Sequence, residues 1–439
     1  MDHLATTRDL LAFIGSSPSM FHTAATIRRE LDAAGFTYLP EHRPWTMEPG
    51  GSYYTVRNGS SVVALKVGSS LDSYHFQMVA AHGDSPSFKV KAAPELSGPE
   101  GYLRLNVEPY GGMIDYTWLD RPLSVAGRVM VEQDGHVESR LLYPNRDVAL
   151  IPSVAIHMNR AVNDGFAFNR QVDLCPLFSA GELGKGAFVA MLADELGVSP
   201  DQVLSWDLFL VNRQAPSVWG VAQEFVSAPH LDDLQCAFAS LRAFLASQND
   251  HDVSVFVCFD NEEVGSGTKQ GAKSTLLHDT LVRANAALGR GEADYLQAIA
   301  MSFLVSADNA HAVHPNHPEH ADERNRPRLN GGVVIKEHAM QRYTTDAFSR
   351  AAFAAICREA GVPVQAFANR SDKEGGSTLG NLSNLQVSVH GVDIGLPQLA
   401  MHSSYETAGV RDTMWGIEAL SAFYRSNLLI EGADRLTIA

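Results

Sequence analysis

The sequence is poor in cysteine, in basic charge and in long apolar runs. Its four cysteines (Cys175, Cys236, Cys258, Cys357) are scattered through 439 residues with no Cys-x-x-Cys pair. That spacing excludes a disulfide framework and a structural zinc knuckle, and leaves buried thiols in a reducing compartment. Lys and Arg number 34 against 50 Asp and Glu, a formal net charge of −16. Nucleic acid and anionic membrane surfaces need clustered cations, so neither is an expected partner. No apolar run approaches the roughly 20 residues of a membrane span. The N-terminal region lacks a secretory pattern, because Leu10–Ile14 is too short for an apolar core and Asp2 and Asp9 lie near it. The expectation is a cytoplasmic protein.

What is present is enough chain for two domains, at an ordinary 45% apolar and 19% charged content. Residues 3–14 and 23–34 pattern as amphipathic helices, the second with Thr23 as N-cap and Gly35 as its stop. Tyr53–Val56 and Val62–Val67 alternate around Asn58-Gly59, a hairpin signal. From about 91 to 214 the texture changes to short β-like pieces between Pro, Gly and Asn turns, with one helical stretch near 187–196. This predicts an inserted β-rich domain at 91–214 within a main α/β domain formed by 1–90 and 215–439. The fold class expected is α/β, a mixed sheet flanked by helices.

Several apolar runs end on chemistry-bearing residues. Val255–Phe259 stops at Asp260, Asn261, Glu262 and Glu263, followed by Gly265, Gly267 and Gly271. Phe76–Ala81 stops at His82-Gly83-Asp84, and Met301–Ser306 runs into Asp308, with His311 and His314 close by. Asp232 and Asp233 precede a helical pattern, and His402 follows an apolar stretch. Alone, each has a bland reading: a solvated acidic turn, helix caps, surface histidines. Together, His82, Asp232, Glu262, Glu263, Asp308 and His402 sit at strand ends or at a helix mouth, where open α/β sheets bind ligands. Two His and three carboxylates, one of them shared, would complete two metal ions. The N/O donor mix suits zinc, with manganese or cobalt as alternatives. A further carboxylate would move the proton, which is the equipment for metal-assisted amide hydrolysis.

The stretches AAHGDSP, HLDDL, FDNEEVGS, SADNAHAVHPN, QRYTTD and LPQLAMHS, in this order from His82 to His402, resemble the M18 aminopeptidase family, the aspartyl aminopeptidases and their bacterial relatives. The resemblance implies a zinc-exopeptidase fold with the inserted domain used for dimerisation, and a tetrahedral dodecamer built from dimers. It implies that Asp232 bridges two zinc ions, that His82 and Asp308 complete one site, and that Glu263 and His402 complete the other. Glu262 would be the general base. Asp84 would orient the His82 ring and, with Lys336, belong to the substrate side; Lys336 would line the specificity pocket. Tyr343 would hydrogen-bond the substrate carbonyl, and His157 would reach a neighbouring subunit's site. The substrates implied are peptides, with acidic (Asp or Glu) N-termini favoured. Asp233, Gly375 and Asn381 depart from the family pattern. An N-acyl-amino-acid deacylase is the alternative hydrolase on the same metal chemistry.

Overall fold

The computed structural model describes residues 2–439 as a mixed α/β architecture with three main sheets. The largest has nine strands. Across it run Thr37–Tyr38, Ser52–Arg57, Ser61–Val67, Val253–Phe259, Phe76–His82, Phe303–Ala307, His390–Gly395, Val333–Glu337 and Val364–Ala368. The four central strands (253–259, 76–82, 303–307, 390–395) are mutually parallel. Their carboxyl ends therefore share one edge, with Phe259 paired to His82 and Ser306 to Ala80.

Strand side chains alternate between faces, and the sequence is apolar on both. Val62, Ala64, Phe256 and Val305 pack on one side against the helices His3–Gly15, Met20–Ala33, Leu231–Ala246, Ala347–Glu359 and Asp412–Arg425. Val63, Leu65, Val257 and Leu304 pack on the other against Leu276–Ala287 and Glu292–Ala300. Such double-sided burial explains why these strands read as continuous apolar runs.

A six-stranded antiparallel sheet lies between Ser87 and Asn212, with Ser87–Ser97, Leu103–Tyr110, Leu123–Gln133 and Val203–Asn212 as its long strands. It has its own core, including Phe88, Trp118, Val125, Leu208 and Phe188, the last on the helix Ala187–Leu196. Met20, Phe21, Tyr110 and Phe209 form a small apolar cluster joining this sheet to the helical layer.

The third sheet has five short strands: Ser217–Trp219, Phe225–Ala228, Glu406–Gly409, Pro397–Leu399 and Ala310–His311. It matters more than its size suggests. Asp232 follows its second strand, His402 lies in the turn between 397–399 and 406–409, and Asp308 precedes 310–311. Among the described residues no helix is long and apolar enough to cross a membrane.

One local expectation changes, and two features come from the structure alone. The second helix starts at Met20 after Ser19, so Thr23 lies inside it. The Thr23 hydroxyl donates to the carbonyls of Ser19 (3.1 Å) and Gly83 (3.2 Å), which ties the helix to the loop after His82. The helix at 347 is capped by Asp346, whose carboxylate accepts from the Ser349 N–H at 2.8 Å. Thr344 and Thr345, which stand just before it, bond to Asp393 instead. The helix Glu292–Ala300 was not foreseen, since nine residues give little periodicity to detect.

Candidate metal centre and active-site cleft

His82 is the last residue of its strand and is 1% exposed. Its Nδ1 lies 3.1 Å from the Asp84 carbonyl and 3.4 Å from Asp84 Oδ1. That leaves Nε2 facing Asp232 Oδ1 at 3.5 Å and Glu262 Oε2 at 4.0 Å. A histidine held at one nitrogen by an oxygen presents the other in a fixed direction, as metal-binding imidazoles do.

Asp232 sits where the chain enters the helix Leu231–Ala246, but its own φ/ψ (−82°, 109°) are not helical. Such angles suit an N-cap, yet no helix N–H donates to the Asp232 carboxylate. The side chain instead turns to the sheet edge, with Oδ2 at 3.5 Å from His402 Nε2. His402 Nε2 is also 3.2 Å from Glu263 Oε2. One ligand atom from each of His82, Asp232, Asp233 and Asp308 falls within a 4.8 Å sphere of mutual distance, as does one from each of Asp232, Glu263 and His402. Asp232 belongs to both groups.

A frame of buried polar contacts fixes these side chains. The Glu406 carboxylate accepts the N–H of Asp232 at 2.9 Å and that of His402 at 2.7 Å. Asp233 accepts the N–H of His82 at 3.1 Å and that of Asn309 at 3.2 Å. Asp84 accepts the N–H groups of Glu262 (3.1 Å) and Glu263 (3.2 Å) and the Tyr110 hydroxyl (2.7 Å). Asp84 thus stands behind the ligands, buried and outside the lining of the cleft, while Lys336 and Tyr343 line it. Tyr343 is 4% exposed, and burial raises its hydroxyl pKa.

The electrostatics are unbalanced. Burial raises the pKa of Glu262 to about 8, and the carboxylates of Asp308, Asp84 and Asp232 add to this against the opposing pull of His82. Burial also raises Glu263, Asp233 and Asp308. On His402 burial acts downward, but Asp232 outweighs it and lifts the imidazole to about 9. Asp232, flanked by both imidazoles, is the one acid of the group held below its ordinary range. Lys336 offsets part of the charge: its Nζ is 3.7 Å from Asp308 Oδ1 and donates to the Asn309 carbonyl at 3.0 Å. Asp232 Oδ1 and Glu263 Oε1 are buried with no hydrogen-bond partner. Unpaired buried carboxylate oxygens are costly unless a cation meets them, so the donor set fits zinc in both chemistry and charge.

The fold gathers His82, Asp232, Glu262, Glu263, Asp308 and His402 around one cleft, together with Lys336, Tyr343 and the Gly376–Thr378 edge of the glycine-rich loop. His157 is not gathered. It lies exposed in the segment that connects strands His136–Leu142 and Leu177–Ser179, and does not line the cleft. Sequence reasoning missed Glu406, Tyr110 and Asn309. Glu406 follows His402 by four residues and carried only that proximity as a signal; Tyr110 carried none, being a strand residue in another sheet.

Residues 13–424 match the family described as aminopeptidase I zinc metalloprotease (M18). The chain is 43% identical over 422 residues to a probable M18 family aminopeptidase 2 of Clostridium novyi, covering 95% of this chain and 98% of that one. A protein of the same name from Pseudomonas aeruginosa is 42% identical over 427 residues, covering 96% and 98%. Among solved structures, a chain of the Ape4 and Nbr1 complex superposes with a TM-score of 0.93 at 34% identity, covering 96% of this chain and 86% of that one. The mApe1 dodecamer of S. cerevisiae gives 0.83 at 27%, covering 95% of each. With the match spanning the elements that build the cleft, this chain belongs to the M18 family and is a zinc metallo-aminopeptidase.

Proposed function

We propose that this chain removes N-terminal residues from peptides using two zinc ions per subunit, with acidic (Asp or Glu) N-termini preferred. The observation that carries the two-ion reading is the sharing of Asp232 between two donor groups. In this reading His82 and Asp308 would hold one ion, Glu263 and His402 would hold the other, and Asp232 would serve both. When bound, the ions supply Lewis acidity to the scissile carbonyl and to the attacking water; manganese or cobalt would serve in the same donors.

The chain's own groups do the rest. Glu262 accepts the proton of the attacking water and returns it to the leaving amine. Its burial and acidic neighbours, which raise its pKa, favour a base able to hold that proton between the two steps. Tyr343 lines the cleft and would donate its hydroxyl to the substrate carbonyl. Lys336 is a buried cation in the cleft wall, and a substrate side-chain carboxylate would pair with it.

His157 would act in a neighbouring subunit, donating to the developing oxyanion. Its exposure beside the exposed Val154, Ile156 and Met158 supports a protein-covered loop. Residues 91–214 would then be the inserted dimerisation domain, and the assembly a homo-oligomer, a tetrahedral dodecamer of dimers. The placement is cytoplasmic, consistent with four free cysteines.

A panel of aminoacyl chromogenic substrates tests this, run on metal-stripped protein with zinc, manganese or cobalt restored. Turnover of Asp or Glu substrates well above neutral ones supports the preference, and equal turnover removes Lys336 from its role. Cleavage of N-blocked substrates in preference to free amines would reassign the enzyme as a deacylase.

A further inference from the structure

From His311, which lines the cleft, a histidine series continues along residues 314–320 outside it. His311, His314, His317 and His320 recur every three residues. The backbone closes with the same period: the His317 N–H donates to the His314 carbonyl, and the His320 N–H to the His317 carbonyl, both at 3.2 Å. Turns of three residues eclipse side chains three apart. The ring centroids of His314 and His317 are accordingly 5.3 Å apart, and those of His317 and His320 5.6 Å. Pro315 and Pro318 fix the backbone on either side of His317, and Arg370 donates to the Glu319 carbonyl from a separate loop.

The donor atoms converge. His317 Nδ1 is 3.0 Å from Glu319 Oε1, and His320 Nε2 is 3.9 Å from the same oxygen. One ligand atom from each of His317, Glu319 and His320 lies within 4.8 Å of the others, and all three side chains are exposed. We propose that His317, Glu319 and His320 form an accessory site for one divalent transition-metal ion, separate from the catalytic cleft. Two imidazoles and a carboxylate are donors suited to zinc and copper(II), and water completes the coordination because the site is open. The reading competes with a simple His–Glu surface pair, which needs no ion.

The test compares the full-length protein with the double variant His317→Ala/His320→Ala and with Glu319→Gln. Each is loaded with zinc, equilibrated by dialysis against added zinc and analysed for bound metal per chain. The native protein is expected to hold one ion more than the double variant, with peptidase turnover the same in both. Copper(II) added to the zinc-loaded protein should give an electron paramagnetic resonance signal split by two imidazole nitrogens, absent from the double variant and weakened in Glu319→Gln. Equal metal content with identical copper spectra would overturn the site. Because the readout is a difference between proteins with the same cleft, that outcome leaves the two-ion reading untouched.

Discussion

The edge of the nine-stranded sheet and the 152–172 segment of the six-stranded region are unfinished in opposite ways. The first is buried and crowded with acids: Asp232, Asp233, Glu262, Glu263 and Asp308 share a small volume with two imidazoles and one ammonium. The second is exposed and apolar, with Met158 84% and Val172 63% accessible. A surplus of buried negative charge is relieved by cations, whereas exposed apolar surface is relieved by another protein surface. The comparison therefore separates buried charge that a cation can meet from exposed apolar surface that a second protein surface can cover.

The sharpest way to break this contrast is to remove the metal. Chelation should abolish turnover and lower the melting temperature, since an ion that binds only the folded state stabilises it; zinc should restore both. Retained activity after verified stripping would sink the charge argument. Next in size, Glu262→Gln should lower kcat by about 10²–10⁴-fold, the usual worth of a positioned base, while bound zinc measured by elemental analysis stays constant.

On the other side of the contrast, His157→Ala should cost about 10²–10³-fold in kcat, the usual worth of an oxyanion donor, although His157 is outside the cleft of its own chain. Mixing this variant with Glu262→Gln and reassembling them should recover part of the activity, which a role within one chain would not allow. A smaller effect probes the contact between the two regions. Tyr110 belongs to the six-stranded sheet, yet it donates to Asp84 at 2.7 Å and accepts from Asn261 at 2.7 Å. Tyr110→Phe should weaken zinc binding by about 10-fold, in the range for groups that brace a ligand, as read by competition with a chelator.

The smallest effect concerns a buried acid of the catalytic region outside the metal-donor groups. Asp412 accepts the N–H groups of Asn330 (2.7 Å) and Gly332 (3.1 Å), and burial raises its pKa to about 7. In the unfolded chain an aspartate titrates near 4. Between those values the folded state binds the extra proton, so this group's contribution to stability is full below about pH 4 and is lost as pH rises through about 7. Asp412→Asn should flatten the dependence of melting temperature on pH over that window. An unchanged slope would mean that the carboxyl titrates normally.

Strand runs such as Phe76–Ala81 and Val255–Phe259 were legible in the sequence because burial on both faces requires unbroken apolar residues. The acids and histidines that end them were legible only as a set, because each alone has an ordinary structural reading as a turn, a cap or a surface residue. The helix cap at Asp346 was not legible. Thr344 and Thr345 offered equally good local chemistry, and only the approach of Asp393 from another strand decided between them. Glu406 was likewise invisible, since its two backbone partners at Asp232 and His402 are brought to it by the five-stranded sheet.

The sequence by itself determined which residue types stand ready at strand ends, because hydrophobic patterning and turn chemistry are local. The tertiary structure decided that they meet. Parallel pairing aligns the carboxyl ends of strands far apart in the chain, and the small sheet turns Asp232, Asp308 and His402 toward that common edge. Convergence of this kind depends on long-range pairing and backbone hydrogen bonds, whose partners no local window of sequence contains.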